Sequence, residues 1–153
     1  MGLEKDSTFN GSWPLYALGF HHIKPVNFVS FFNAIANGGK MVSLKSQDSS
    51  AIVVDSMIAE KKNIESMKKA FRFYVTNGLG KKAESKMVNV AGTSGTIHTD
   101  DGIYADFCGY FPVEKPKYTV FVSYKRPEIP VSGGGMAGQT FRKIAEQIMK
   151  TCK

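Results

Sequence analysis

Residues 88–97 read Val88-Asn89-Val90-Ala91-Gly92-Thr93-Ser94-Gly95-Thr96-Ile97, an apolar approach into a Gly-Thr-Ser-Gly-Thr core with a β-like exit. Gly92 and Gly95 leave one edge of the backbone bare, so another molecule can approach it closely. Thr93, Ser94 and Thr96 bring three hydroxyls, each able to donate and to accept a hydrogen bond. A strand with a small, hydroxylated, open edge suits an extended peptide-like ligand that docks by strand addition. A Gly/Ser/Thr turn without function has the same composition. The residues downstream favour the strand.

Past the pentapeptide, Asp101-Gly102 is a two-residue hairpin signal leading into an apolar strand, Ile103 to Phe111. That strand alternates Ile103, Ala105, Phe107 and Phe111 with Tyr104, Cys108 and Tyr110, so both of its faces are expected to be covered. Glu114-Lys115-Pro116-Lys117 turns the chain, and Tyr118 to Tyr124 is a third strand, stopped before Pro127.

Helical spacing surrounds this meander. Pro25 opens a helix whose aromatics lie almost all round, which predicts burial, and Asn37-Gly38-Gly39 ends it. Residues 40–55 read as irregular or briefly extended. A second helix is expected from about Ser56 to Thr76, with Ile64, Met67, Phe71, Tyr74 and Val75 inward and Lys61, Lys62, Lys68, Lys69 and Arg72 facing water. Gly133-Gly134-Gly135 opens a last helix with the stripe Ala137, Phe141, Ile144, Ala145, Ile148 and Met149. The expected fold is α+β: a three-stranded antiparallel meander packed with helices. Residues 1–12 are polar and expected to be loose, and residues 13–153 form the domain.

At 153 residues the chain suits one domain with a real core. A net charge of +7 allows nucleic acid, an anionic surface or an acidic ligand as partner. The lysines are scattered, however, with no interleaving of aromatic and basic residues, so no nucleic-acid partner is expected. No signal peptide and no membrane-spanning run is legible. Cys108 and Cys152 make no disulfide framework, and their redox state is open.

Other motifs carry less. Gly78-Leu79-Gly80-Lys81-Lys82 and Gly133-Gly134-Gly135 lack the glycine-to-lysine spacing of a phosphate loop. His21, His22, His98 and the cysteines have no metal-ligand spacing, so neither metal nor cofactor is expected. Ser66-Met67-Lys68-Lys69 matches Ser-x-x-Lys in form. It lies in a lysine-studded amphipathic helix and reads as coincidence.

Taken in order, several segments resemble the C-terminal half of the transpeptidase domain of class B penicillin-binding proteins, a β-lactamase-like fold. They are Phe32-Asn33-Ala34-Ile35-Ala36-Asn37-Gly38-Gly39, then Val90 to Thr96 at the position of the family's Lys-Thr-Gly box. Next come Ala105-Asp106-Phe107-Cys108-Gly109-Tyr110-Phe111-Pro112, Pro116 to Val122, and the glycines before Met136-Ala137. The resemblance runs from about Trp13 to Lys150. It implies a serine D,D-transpeptidase of peptidoglycan synthesis, extracytoplasmic and membrane-anchored, whose serine is acylated by a stem peptide or trapped by a β-lactam.

The family's Ser-x-x-Lys and Ser-x-Asn boxes lie upstream of anything here, so no catalytic residue is assigned. Thr93, Ser94, Gly95 and Thr96 are the candidate substrate-binding residues. Thr93 stands where the family has lysine, and a threonine cannot replace a charge-assisted contact. The expectation is a fragment that carries the third-box strand and is inactive alone, with stem peptide or β-lactam as ligand once upstream sequence completes it. The alternative is a non-catalytic interaction module, transpeptidase-derived or an unrelated α+β domain, that binds a peptide or partner along the open strand. With upstream strands missing, Tyr118–Tyr124 exposes an apolar edge, so self-association is also expected.

Overall fold

The computed structural model describes residues 24–44, 52–126 and 132–152. The expected loose segment 1–12, Trp13, His21 and His22 lie outside the described residues.

Helix α1 spans Pro25–Ala36, with Pro25 in its first turn. A two-stranded ribbon comes next, β1 (Met41–Val42) against β2 (Val53–Asp55). Helix α2 covers Lys61–Thr76. The meander then runs β3 (Ala91–Thr99), β4 (Gly102–Phe111) and β5 (Tyr118–Arg126), antiparallel in the order β3-β4-β5. Helix α3, Gly138–Thr151, closes the described chain. The architecture is α+β, with helices on both faces of the three-stranded sheet.

The two faces originate in β4. Its alternating side chains feed one cluster in which Phe107 and Phe111 meet Phe141 and Ala145 of α3, and another in which Cys108 and Tyr110 meet Phe32 of α1 and Phe71 of α2. Phe32 and Phe71 stack with ring centroids 4.6 Å apart, and Phe107 lies 4.9 Å from Phe141. Every residue from Phe107 to Phe111 is buried, as a strand apolar on both faces requires.

Four expectations need correction. The first helix is not buried all round: Val26 and Phe31 are exposed, and burial concentrates on Phe32, Ala34, Ile35 and Ala36. The second helix starts at Lys61 rather than near Ser56, because the amides of Met57 and Ile58 are bonded outside it. Met57 N donates to Asp55 Oδ1 at 2.8 Å and Ile58 N to Gly39 O at 2.9 Å, which diverts two amides from the helix. Arg72 does not face water but reaches across to the approach of β3, where the Val90 carbonyl accepts from it.

The hairpin loop is Asp100-Asp101, one residue earlier than expected, closed by the Thr99–Gly102 pair. Gly102 at φ 136° takes the conformation that side-chain-bearing residues avoid. As expected, Gly133-Gly134-Gly135 opens the last helix, through a wide π-helical turn, Gly133–Ala137, with the regular α-helical part from Gly138.

Candidate functional site

The approach to β3 is clamped from α2. The Arg72 guanidinium donates through Nη1 to Glu84 Oε2 and to the Val90 carbonyl, both at 2.9 Å. Through Nη2 it donates to Glu84 Oε1 at 3.0 Å and Asn89 Oδ1 at 3.1 Å. The planar fork donates to four acceptors at once, more than the three donors of a lysine could serve. Asn89 is held from its other side as well: its amide donates to Glu114 Oε1, and its carbonyl accepts from Val113 N at 3.0 Å. The Asn89 amide is also the main cause holding the Glu114 carboxyl below its ordinary range. The strand therefore leaves Val90 with its direction fixed.

Along β3 side chains alternate between faces. Thr93 pairs with Cys108, Ser94 with Phe107, Gly95 with Asp106 and Thr96 with Ala105. The four candidate binding residues thus split into Thr93 and Gly95 on the α1 side and Ser94 and Thr96 on the α3 side. What they share is the outer edge, which pairs with no strand among the described residues. Space at the two glycines differs. A Cβ on Gly95 would have nothing within 4 Å, so the α1-side face of the sheet is open there, while the Gly95 carbonyl is backed by Gly133. A Cβ on Gly92 would collide with the Cys108 carbonyl and lie 2.8 Å from Gly109 Cα. Gly92 serves the packing of β3 on β4; the expectation that it leaves the edge bare is corrected.

The hydroxyls are partly engaged. Ser94 Oγ lies 2.5 Å from Tyr74 Oη of α2. Thr96 Oγ1 accepts from Gly133 N at 3.2 Å, so its own proton remains available to an outside acceptor. The Gly133-Gly134 backbone can reach this deep only without side chains: a Cβ on Gly133 would lie 2.6 Å from Asp106 O. The glycine triplet, which lacks phosphate-loop spacing, is a buttress under Ser94, Gly95 and Thr96.

At the hairpin end, on the Thr93 face, a cavity of about 530 Å³ opens between Pro25, Ile97, Tyr104, Asp106, Phe121 and Ser123. Asp106 Oδ1 is covered there with no hydrogen-bond partner among the described residues, and burial raises its carboxyl above the ordinary value, a Ser123 hydrogen bond opposing.

Nucleophile candidates elsewhere are quiet. Ser66 is exposed and its Oγ donates back to Lys62 O at 2.8 Å, within its own helix. Burial pushes the Cys108 thiol up to about 12, far from thiolate chemistry. Sequence reasoning missed the roles of Tyr74, Arg72 and the Gly133 amide. Tyr74 was legible in part, since a tyrosine in an apolar stripe needs a partner for its hydroxyl. The Gly133 contact spans 37 residues and left no local signal.

Residues 1–150 match the family described as penicillin binding protein transpeptidase domain. A peptidoglycan glycosyltransferase from Burkholderia ambifaria superposes with TM-score 0.71 at 22% identity, over 85% of this chain and 41% of that one. The transpeptidase domain of the FtsI4 D,D-transpeptidase from Legionella pneumophila gives 0.65 at 29% identity, over 83% and 47%. The D,D-transpeptidase domain of a peptidoglycan glycosyltransferase from Eggerthella lenta gives 0.62 at 24% identity, over 80% and 32%. A search of curated protein sequences found no match. The chain thus spans less than half the length of these solved chains, and it shares their fold over that span. With nearly the whole sequence inside the matched span, the chain belongs to the penicillin-binding protein transpeptidase domain family.

Proposed function

We propose that this chain forms the third-box wall of the substrate cleft of a peptidoglycan D,D-transpeptidase, and that it docks acyl-D-Ala-D-Ala or a β-lactam without turning it over. The observation that carries this reading is the outer edge of β3, unpaired among the described residues, with open space over Gly95 on the α1 side and the hydroxyls of Thr93, Ser94 and Thr96 beside it. Backbone pairing along the edge supplies affinity, and the hydroxyls supply donors for a ligand carboxylate. Thr93 in place of the family's lysine leaves that carboxylate without a charge-assisted partner on the strand, which weakens docking.

As a fragment, the chain depends on a nucleophile from elsewhere in its parent protein. The parent works outside the cytoplasm and is anchored in the membrane; no described helix is itself long and apolar enough to cross a bilayer. The alternative, a non-catalytic module that binds peptide along the same edge, is favoured by one residue, Thr93. The outer edge of β5, unpaired among the described residues, is proposed to join a second copy of this chain.

Fluorescent penicillin mixed with the purified chain tests the reading. Polarisation should rise under native conditions, and no label should survive a denaturing gel. A denaturation-resistant band that disappears in Ser66→Ala would overturn the non-covalent reading. No polarisation rise at any concentration would overturn docking.

A further inference from the structure

We infer that Tyr74 is a positioning residue for ligand recognition: its phenol fixes Ser94 so that the serine proton points out to an anionic ligand group. This deepens the proposed function and rests on it. Four observations carry it. Tyr74 Oη sits 2.5 Å from Ser94 Oγ, across 20 residues of sequence. The Tyr74 ring cannot swing away, because the turn after α2 is wrapped on it: a Cβ on Gly80 would come within 2.7 Å of the ring, and one on Gly78 within 3.2 Å. Its ring also packs against the buried cluster under the sheet. Gly134 also lies against Ser94, where a Cβ would stand 3.4 Å from Ser94 Oγ, at ordinary contact distance.

The proton order is set by acidity. A phenol is a stronger donor than an aliphatic alcohol, so in this pair Tyr74 donates and Ser94 accepts. The serine proton is then left for an outside acceptor, and the chain of two hydroxyls is polarised in one direction. Thr96 is set the same way by Gly133 N–H. Two neighbouring hydroxyls on one face of β3 thus both present protons outward. That arrangement selects an anionic acceptor such as a carboxylate, through neutral donors alone, on a strand where Thr93 brings no charge.

The test compares N-acyl-D-Ala-D-Ala with its C-terminal amide, by titration of isotope-labelled full chain. The native chain should bind the carboxylate more tightly than the amide. Tyr74→Phe keeps the ring and its packing. It should weaken carboxylate binding by about two- to tenfold, the range of one neutral hydrogen bond, and weaken amide binding less. In Ser94→Ala the same tyrosine change should do nothing further, because Tyr74 acts only through Ser94. If Tyr74→Phe retains the full preference, or costs the same in the Ser94→Ala background, the positioning role is wrong although β3 still binds. If the native chain binds neither probe, the proposed function itself fails and this inference with it. Thermal melts of each variant show that lost binding is not lost folding, and a melt unchanged with binding intact refutes the inference.

Discussion

Arg72→Ala removes the clamp on the β3 approach, and its cost can be worked from the contacts. The ion pair with Glu84 is partly exposed, with side chains 26% and 35% accessible, so it contributes about 0–1 kcal/mol. The Val90 carbonyl is a different matter. Val90 is fully buried and its carbonyl accepts from Arg72 Nη1. A buried acceptor left without a donor costs about 1–3 kcal/mol. The expected loss is about 1–4 kcal/mol, or about 2–16 °C in Tm for a chain of this size. Arg72→Lys should recover the charge but not both acceptors, and should fall between. Glu84→Gln keeps the carbonyl contact and should cost less than about 1 kcal/mol. Urea unfolding tracked by circular dichroism measures all three. If Glu84→Gln costs as much as Arg72→Ala, the ion pair dominates and the carbonyl argument is refuted. Native-state hydrogen exchange in Arg72→Ala should open first at the start of β3.

The two β3 glycines should behave oppositely. Gly92→Ala meets the β4 backbone and should destabilise by about 1–3 kcal/mol or more, seen in the same melts. Gly95→Ala should fold within about 0.5 kcal/mol of the native chain yet weaken acyl-D-Ala-D-Ala binding at least about tenfold. Asp106 carries a raised carboxyl pKa, so the folded state holds its proton more tightly than the unfolded chain, and stability is lost as pH rises through the folded value. Asp106→Asn should therefore raise Tm near neutral pH, a gain that vanishes as pH falls below the ordinary 3.8. A gain that persists in acid would point to packing rather than ionisation. Light scattering across a concentration series should show dimers, reduced by Ser123→Lys on the exposed part of β5; a monomer throughout would remove the edge-pairing proposal.

Local chemistry explains which features were legible. The meander was readable because β4 is apolar at both periodicities and Asp100-Asp101-Gly102 can only turn. Pro25 and Asn37 bounded α1 for the same local reasons. The start of α2 was not readable: the amides of Met57 and Ile58 are taken by Asp55 and Gly39, partners fixed by the fold and not by helix propensity. Arg72 fitted a solvated helix face by spacing, and only the position of Val90 beside α2 turns it inward. At the site, the pentapeptide located β3. The split of its hydroxyls, Ser94 and Thr96 to one face and Thr93 to the other, and the contacts with Tyr74 and Gly133, depend on elements that pack from distant sequence.

The measurement that bears most directly on the proposed docking is a backbone amide shift map of the isotope-labelled chain titrated with N-acyl-D-Ala-D-Ala. The perturbed amides should form one continuous run from Thr93 to Thr96, spreading to Tyr74 and Gly133 and leaving β5 unmoved. Shifts centred on the Pro25–Asp106 cavity or on β5, or none at saturating peptide, would contradict a ligand edge on β3.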